Sequence, residues 1–280
     1  MARKPTKQAG DSAAHHVLPE AEIIKRLMRF GYFGDSTVEQ VKNLGSDALA
    51  SAIRTYQEFN GLLPTGLVGP KTAHKINRAR CGLPDFSMTL KSSEPCKWPM
   101  AEITYCHDLK LPGLTKDEVS RAYTLAISQW AEVCAIEPKQ VAAKNANIYA
   151  RSGVGKENHL DNKGGTLAWS ELPCDVTANV QLDQMFDEAE DWSFDMAVAV
   201  MCHEIGHALG LPHLANGNLM APYYDAKHTK PQKGDIKEIV SLYGKRTTQY
   251  ALTAAENERI TGSIVLNGCE YNIVLVPKIW

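Results

Sequence analysis

A chain of 280 residues with 44% hydrophobic content can hold one or two hydrophobic cores and has the composition of a globular protein. A formal net charge of −2 argues against nucleic acid or an anionic membrane surface as an obligate partner. The seven cysteines include no CxxC pair, which argues against a structural thiolate zinc site, and their odd number leaves at least one thiol unpaired.

In chain order, residues 1–16 are basic and then polar and are expected to form a disordered, solvated tail. They lack the apolar run of a secretory signal peptide, and no membrane span is expected further along. From Val17 the pattern turns helical. Ile23, Ile24, Leu27 and Met28 share a face, and the glycines of Gly31-Tyr32-Phe33-Gly34 break it. A second helix is predicted over residues 46–60, with Leu49, Ala52, Ile53, Tyr56 and Phe59 at three- and four-residue spacing. A turn over residues 61–66 leads to a short third helix from Pro70 through Ile76, so residues 17–79 read as a three-helix bundle. Residues 80–97 follow as a connector, and the stretch 86–97, with its Ser, Lys and Pro residues, is the expected place for proteolytic cleavage.

A second domain is predicted over residues 98–246. Residues 102–106 alternate like a strand. Thr115 with Glu118 makes a capping box for a helix whose stripe runs Val119, Ala122, Tyr123, Ala126, Ile127, Trp130 and Val133, and this stripe reads as packing. Strands are predicted at 147–151, 166–170 and around 179–183, with the glycines at 153, 155, 164 and 165 in a long loop. Ser193 or Asp195 caps the next helix, and a closing helix over 235–243 turns Ile236, Ile239, Val240 and Tyr243 inward before Gly244 stops it. Residues 247–280 carry a hairpin signal at Asn267-Gly268, read as an edge extension of the sheet.

The helix capped at 193–195 carries the chemistry. His203 and His207 are four apart, so on a helix they lie about 40° apart around the axis and one turn apart along it. Two neutral imidazoles on one face suit zinc. Glu204 lies about 100° round from His203, beside such a metal and able to handle a proton from bound water. Gly210 can end the helix in the left-handed conformation and Pro212 cannot continue it, so the chain can bring His213 back as a third ligand. Three protein ligands leave a fourth position open, the catalytic pattern.

The run from His203 to His213, with Met220 downstream, matches the metzincin signature. Residues 98–246, ending in Ile236-Lys237-Glu238-Ile239-Val240-Ser241-Leu242-Tyr243-Gly244, resemble the catalytic domain of the matrixins, the matrix metalloproteinase-like zinc endopeptidases. The segment from Arg29-Phe30-Gly31-Tyr32-Phe33 to Ile76 resembles the peptidoglycan-binding-type helical domain that serves that family as a propeptide. Arg80-Cys81-Gly82-Leu83-Pro84-Asp85 resembles its cysteine switch, with Ala79 where the family usually has Pro.

The resemblance implies an α+β metzincin-type fold, a mixed twisted sheet with long helices, preceded by the small bundle. It implies one catalytic zinc on His203, His207 and His213, with Glu204 as the general base. Cys81 would ligate that zinc in a latent form, with Arg80 and Asp85 pairing to shape the switch loop. Met220 would pack beneath the ligands, and Pro222 and Tyr224 would wall the main specificity pocket. Ala199, four residues before His203, is small and leaves that pocket open to a sizeable apolar side chain. A protein or peptide substrate would add as a strand along residues 166–170. The resemblance also implies an extracellular, monomeric enzyme.

The chain departs from the pattern at Trp169 and Gln181, where histidines of a second, structural zinc would be expected, so that zinc is not expected here. His159 beside Asp161 reads as a loop hydrogen bond. Residues 161–165 resemble the family's calcium loop, which implies calcium on Asp161 with an oxygen from Asp183, although Phe186 stands where a Glu is usual. The alternative reading is a cell-wall zinc hydrolase whose helical domain binds peptidoglycan. A zinc-stabilised binding module is weaker, because Glu204 and an open metal position would have no structural use.

Overall fold

A computed structural model describes residues 19–34, 36–43, 45–86, 96–142, 145–155, 160–161, 163–174, 176–246, 260–266 and 269–275. The expected tail over 1–16, most of the connector, His159 and the Asn267-Gly268 turn lie outside the described residues.

The N-terminal part has four helices, α1 (Glu20–Arg29), α2 (Val38–Asn43), α3 (Gly45–Phe59) and α4 (Pro70–Ile76). The bundle was expected to have three. α2 escaped because six residues with two apolar positions are too short to show a helical period. α1 has Glu20 and Glu22 in its first turn and Arg26 and Arg29 in its last, matching the helix dipole at both ends. Buried Gln57 fixes the α3–α4 turn: its Nε2 donates to Leu67 O at 2.8 Å and its Oε1 accepts from Gly66 N at 2.9 Å. Leu27, Phe30, Ile53, Tyr56 and Ile76 make a small core, and Tyr223, from the other end of the chain, completes it.

The second part is a six-stranded mixed sheet in the order β1-β5-β6-β4-β2-β3. Its strands are β1 (Arg80–Cys81), β2 (Glu102–Asp108), β3 (Glu137–Gln140), β4 (Ile148–Gly153), β5 (Thr166–Ser170) and β6 (Leu182–Asp187). β5 runs antiparallel to β6, and the other pairs are parallel. β6 lies four residues beyond the end expected for it, at 187 rather than 183. It sits between β4 and β5, and its positions 184–187 are all buried, so it lacks the alternation that marks a half-exposed strand.

Two long helices, α5 (Lys116–Ala131) and α6 (Phe194–Ala208), pack together under the sheet, and α7 (Lys233–Tyr243) closes the domain. The capping box expected at Thr115 and Glu118 is formed. Trp130 of α5 is fully buried and its indole N–H donates to Cys202 O at 2.8 Å, locking α5 to the middle of α6. The start of the domain locks the far end of α6. Trp98 Nε1 donates to Ala208 O at 2.8 Å, and Tyr243 Oη donates to Leu209 O at 2.8 Å. A disulfide, Cys96–Cys174, ties this start to the β5–β6 loop.

Residues 247–280 form a second compact unit. Its strands β7 (Ile260–Leu266) and β8 (Cys269–Leu275) pair antiparallel with Leu266 opposite Cys269. They form a two-stranded sheet of their own.

Candidate metal centre and substrate cleft

Ser193 is the N-cap of α6, accepting from Met196 N, and the helix is buried from Ala197 to Ala208. It ends at Leu209, and Gly210 follows with φ +104°, a conformation that L side chains rarely adopt. A Cβ at Gly210 would also collide with the carbonyl oxygen of Cys96. Both facts require glycine there. The turn carries the chain back to His213, whose ring centroid lies 5.4 Å from that of His203 and 4.8 Å from that of His207.

Backbone carbonyls set the tautomers of the first two imidazoles. His203 Nδ1 lies 2.8 Å from Leu219 O and His207 Nδ1 lies 2.7 Å from Leu211 O. A carbonyl can only accept, so each Nδ1 carries the proton and each Nε2 presents a lone pair. The two Nε2 atoms are 3.0 Å apart. Cys81 Sγ lies 3.5 Å from His207 Nε2 and 3.6 Å from Glu204 Oε2. A tetrahedral zinc would place two nitrogens about 3.3 Å apart and a sulfur about 3.6 Å from a nitrogen, close to what is found.

Candidate ligand atoms of Cys81, His203, His207 and His213 all lie within 4.8 Å of one another, in the one such cluster among the described residues. Glu204 Oε1 and both ring nitrogens of His213 are buried there without a hydrogen-bond partner among the described residues. Buried polar atoms are normally satisfied, so this donor set fits a cation at its centre.

Burial dominates the electrostatics. It lowers His203 to about 3, with His213 adding to the effect, and it lowers His207 and His213, so all three are neutral, the ligating form. Burial also raises Glu204 to about 8 and, with Glu204 beside it, raises Cys81 well above the usual thiol range. A dication at the centre reverses the sense for thiol and carboxylate.

The cysteine arrives on a strand. β1 lies parallel to β5, with Arg80 N donating to Gly165 O at 2.9 Å and Gly82 N to Ala168 O at 2.7 Å. On its other side Cys81 N donates to Pro222 O at 2.9 Å. The expected Arg80–Asp85 pair is present and buried: Nη2 to Oδ1 at 2.6 Å and Nη1 to Oδ2 at 3.2 Å. Asp85 also accepts from Tyr32 Oη at 2.8 Å, and its Oδ1 lies 2.9 Å from His213 Nδ1. Burial opposes ionisation of Asp85, but Arg80 and His213 outweigh it and hold the carboxyl below the usual range.

Beneath α6, Met220 is fully buried against Gly206. Its turn is held by Asp235, whose carboxylate accepts from Leu219 N at 2.8 Å, Met220 N at 3.0 Å and Gln232 N at 2.7 Å. Asp235 read in the sequence only as the start of a helix, and nothing local marks a carboxylate that reaches back to a turn before it. Beside the metal cluster lies a small cavity whose lining includes Leu167, Ala199, Val200, Leu219, Pro222 and Tyr224. Sequence reasoning missed Val200, Asn218, Asp225 and His228 of its lining, and the last two pair at 3.2 Å.

The acidic loop is arranged differently from the expectation. Asp183 pairs with Arg151 of β4 at 2.6 Å. Asp161 accepts from Thr166 N at 2.5 Å and pairs with Arg29 of α1 at 2.5 Å. Glu190 accepts from Gly164 N at 2.6 Å, Asp191 pairs with Lys163, and both Asp187 and Asp161 raise the Glu190 carboxyl, after burial. β6 runs to Asp187, so Asp183 lies inside the strand, where Arg151 of β4 reaches it. Gln181 donates to Ala146 O at 3.0 Å.

Comparison with known proteins follows the same division. Residues 97–244 match the family described as Matrixin, and residues 21–76 match a putative peptidoglycan binding domain. The chain is 32% identical over 250 residues to matrix metalloproteinase-C of Caenorhabditis elegans, covering 78% of this chain and 42% of that protein. It is 31% identical to matrilysin of Felis catus, over 74% of this chain and 82% of the relative. With matrilysin of Homo sapiens the identity is 30%, over 79% of this chain and 84% of the relative.

Gly206→Ala tests the packing beneath the ligands. The new Cβ would overlap Met220 Sδ and lie 2.8 Å from the rigid Trp130 Cζ2. Overpacking costs about 1–3 kcal/mol and replacing a helical glycine returns about 1 kcal/mol. We expect a net loss of about 1 kcal/mol, read as a lower urea midpoint of the full chain at unchanged m; an unchanged or higher midpoint would show that this contact gives way freely.

Proposed function

The chain belongs to the matrixin family of zinc endopeptidases, and on that premise we propose that it is a latent zymogen in which Cys81 closes the metal centre. The observation that carries the reading is the position of Cys81 Sγ, 3.5 Å from His207 Nε2, delivered by a strand that occupies the sheet edge a substrate needs. In this reading residues 17–79 are the prodomain, 80–97 the switch and connector, and 98–246 the catalytic domain. His203, His207 and His213 hold zinc, which when bound supplies a Lewis acid and an acidified water.

The chain's own residues do the rest. Glu204 takes a proton from the attacking water and passes it to the leaving amine. Once β1 has left, Gly165 O, Ala168 O and Pro222 O are free to accept from a substrate backbone laid along β5. The substrate's side chain after the scissile bond enters the cavity past Ala199, Pro222 and Tyr224. All these groups come from one chain, so a monomer suffices. Cys96–Cys174 is the kind of disulfide that persists in an oxidising compartment, which supports action outside the cytosol. Calcium is assigned to the loop at Asp161, now with Asp187 and Glu190 in place of Asp183, since carboxylates beside a glycine loop are suitable oxygen donors.

The match of residues 21–76 favours a second reading, a cell-wall hydrolase guided by peptidoglycan binding. Pull-down on purified wall sacculi and release of wall fragments separate it from proteolysis of casein, which the zymogen reading expects.

The full chain should cleave casein slowly, and Cys81→Ala or a mercurial should raise the rate at least tenfold. Glu204→Ala in that activated form should lower kcat by about 10²–10⁴-fold, and a chelator should abolish activity. Full activity of untreated protein, or intact turnover in Glu204→Ala, would refute the scheme.

A peptide library should show preference for a large apolar residue after the scissile bond. A flat profile there would rule out the pocket assignment.

A further inference from the structure

An imidazole that ligates a metal through Nε2 is oriented by whatever binds its Nδ1. In this chain His203 and His207 use Leu219 O and Leu211 O, both from the catalytic part. His213 does not. Its Nδ1 lies 2.9 Å from Asp85 Oδ1, both side chains are fully buried, and no aligned hydrogen bond to that nitrogen occurs among the described residues. The atoms are at hydrogen-bonding distance, off the ideal N–H direction, and no bulk water reaches either to compete.

Asp85 is itself held firmly. Arg80 grips both of its oxygens, Tyr32 Oη donates to Oδ2 at 2.8 Å, and its backbone N–H donates to Phe30 O at 2.9 Å. The carboxylate is therefore placed by α1 and the switch loop, independently of His213. When the prodomain is cut away, Leu219 and Leu211 stay and Asp85 goes.

We propose that Asp85 is a positioning residue for the metal: it holds His213 as the Nδ1–H tautomer with Nε2 turned to zinc, so the latent chain binds zinc more tightly than the mature enzyme, apart from any contribution of Cys81. The inference rests on the zinc-centre reading above. In charge terms, a carboxylate on the outer nitrogen makes the inner one a better donor, as in the carboxylate–histidine–zinc arrangement. The switch segment then supplies two separate supports to the metal, a thiolate on it and a carboxylate behind one of its ligands. Activation removes both at once.

The test uses the full chain carrying Cys81→Ala, so that the thiolate contributes nothing, and measures zinc affinity by competition with a chromogenic chelator. Adding Asp85→Asn should weaken zinc binding about 10–100-fold, the usual effect of losing such a partner. Cutting the connector and removing the prodomain from the Cys81→Ala chain should give a loss of the same size. Imidazole nitrogen NMR of the zinc-loaded protein supplies a readout that loosened packing would not mimic. The His213 Nδ1–H resonance should move with Asp85→Asn while those of His203 and His207 stay. Unchanged affinity, or equal shifts at all three histidines, would overturn the proposal. A Cys81→Ala chain that binds no stoichiometric zinc would instead defeat the zinc-centre reading and this inference with it.

Discussion

The buried pair of Arg80 and Asp85 is the constraint on which the latent arrangement depends. Two charges removed from water carry a desolvation cost of several kcal/mol each, and Coulomb attraction offsets it only when the remaining donors and acceptors are also met. Here they are. The guanidinium donates to Cys81 O at 2.9 Å and Leu83 O at 3.2 Å, and it stacks 4.0 Å from the Phe30 ring and 5.2 Å from that of Tyr223. The carboxylate accepts from Tyr32 Oη and lies 2.9 Å from His213 Nδ1. One ion pair thus joins α1, the switch strand, the ligand after α6 and the segment beyond the methionine turn. Removing either partner would strand the other in a dry site, at a cost of about 3–5 kcal/mol.

The switch loop is closely packed as well as clasped. Gly82 sits where a Cβ would be 2.7 Å from Thr166 Cγ2 and 3.2 Å from Trp169 Cβ, so β1 can approach β5 only with glycine at this position. Leu83 N donates to Cys81 Sγ at 3.3 Å, which aims the sulfur toward the imidazoles. The thiol is positioned by backbone and by the ion pair, and its own side chain has little freedom left.

The zinc ligands were legible in the sequence because their geometry is local. A spacing of four on a helix and a glycine–proline exit are statements about neighbours in the chain, and the folded site agrees with them. Arg80, Cys81 and Asp85 were legible only through resemblance. Nothing in six residues says that they will meet a helix more than a hundred positions later. What stayed hidden was long-range or lacked periodicity. Asp235 acts on a turn before it, β6 is buried on both faces and reads as a run, and β1 is a two-residue strand that exists only because β5 offers it an edge. The end of β6 was misplaced for the same reason, and Asp183, read at the strand's end, lies inside it beside Arg151.

The sheet edge shows why latency and substrate binding are the same physical event. An unpaired edge strand exposes N–H and C=O groups that must bond to something. In the zymogen β1 satisfies β5 and Pro222, and the prodomain core takes in Tyr223, whose hydroxyl meets that of Tyr56 at 2.6 Å. A substrate can bind only by replacing those bonds. Cutting the connector breaks none of them. It removes the tether, and with it an effective concentration that for a short linker is of order millimolar. The freed prodomain remains a competitor whose grip depends on the Tyr56–Tyr223 contact, the Arg29–Asp161 pair and the strand bonds of β1. Arg80 and Asp85 leave together with it, so their buried clasp keeps the switch loop in shape and bridges nothing that cleavage parts. Arg29 and Asp161 are each about one-third exposed, at 35% and 34%, and are screened by salt. Release after cleavage is therefore governed by the buried strand bonds of β1 and by the thiol that this strand holds on the metal.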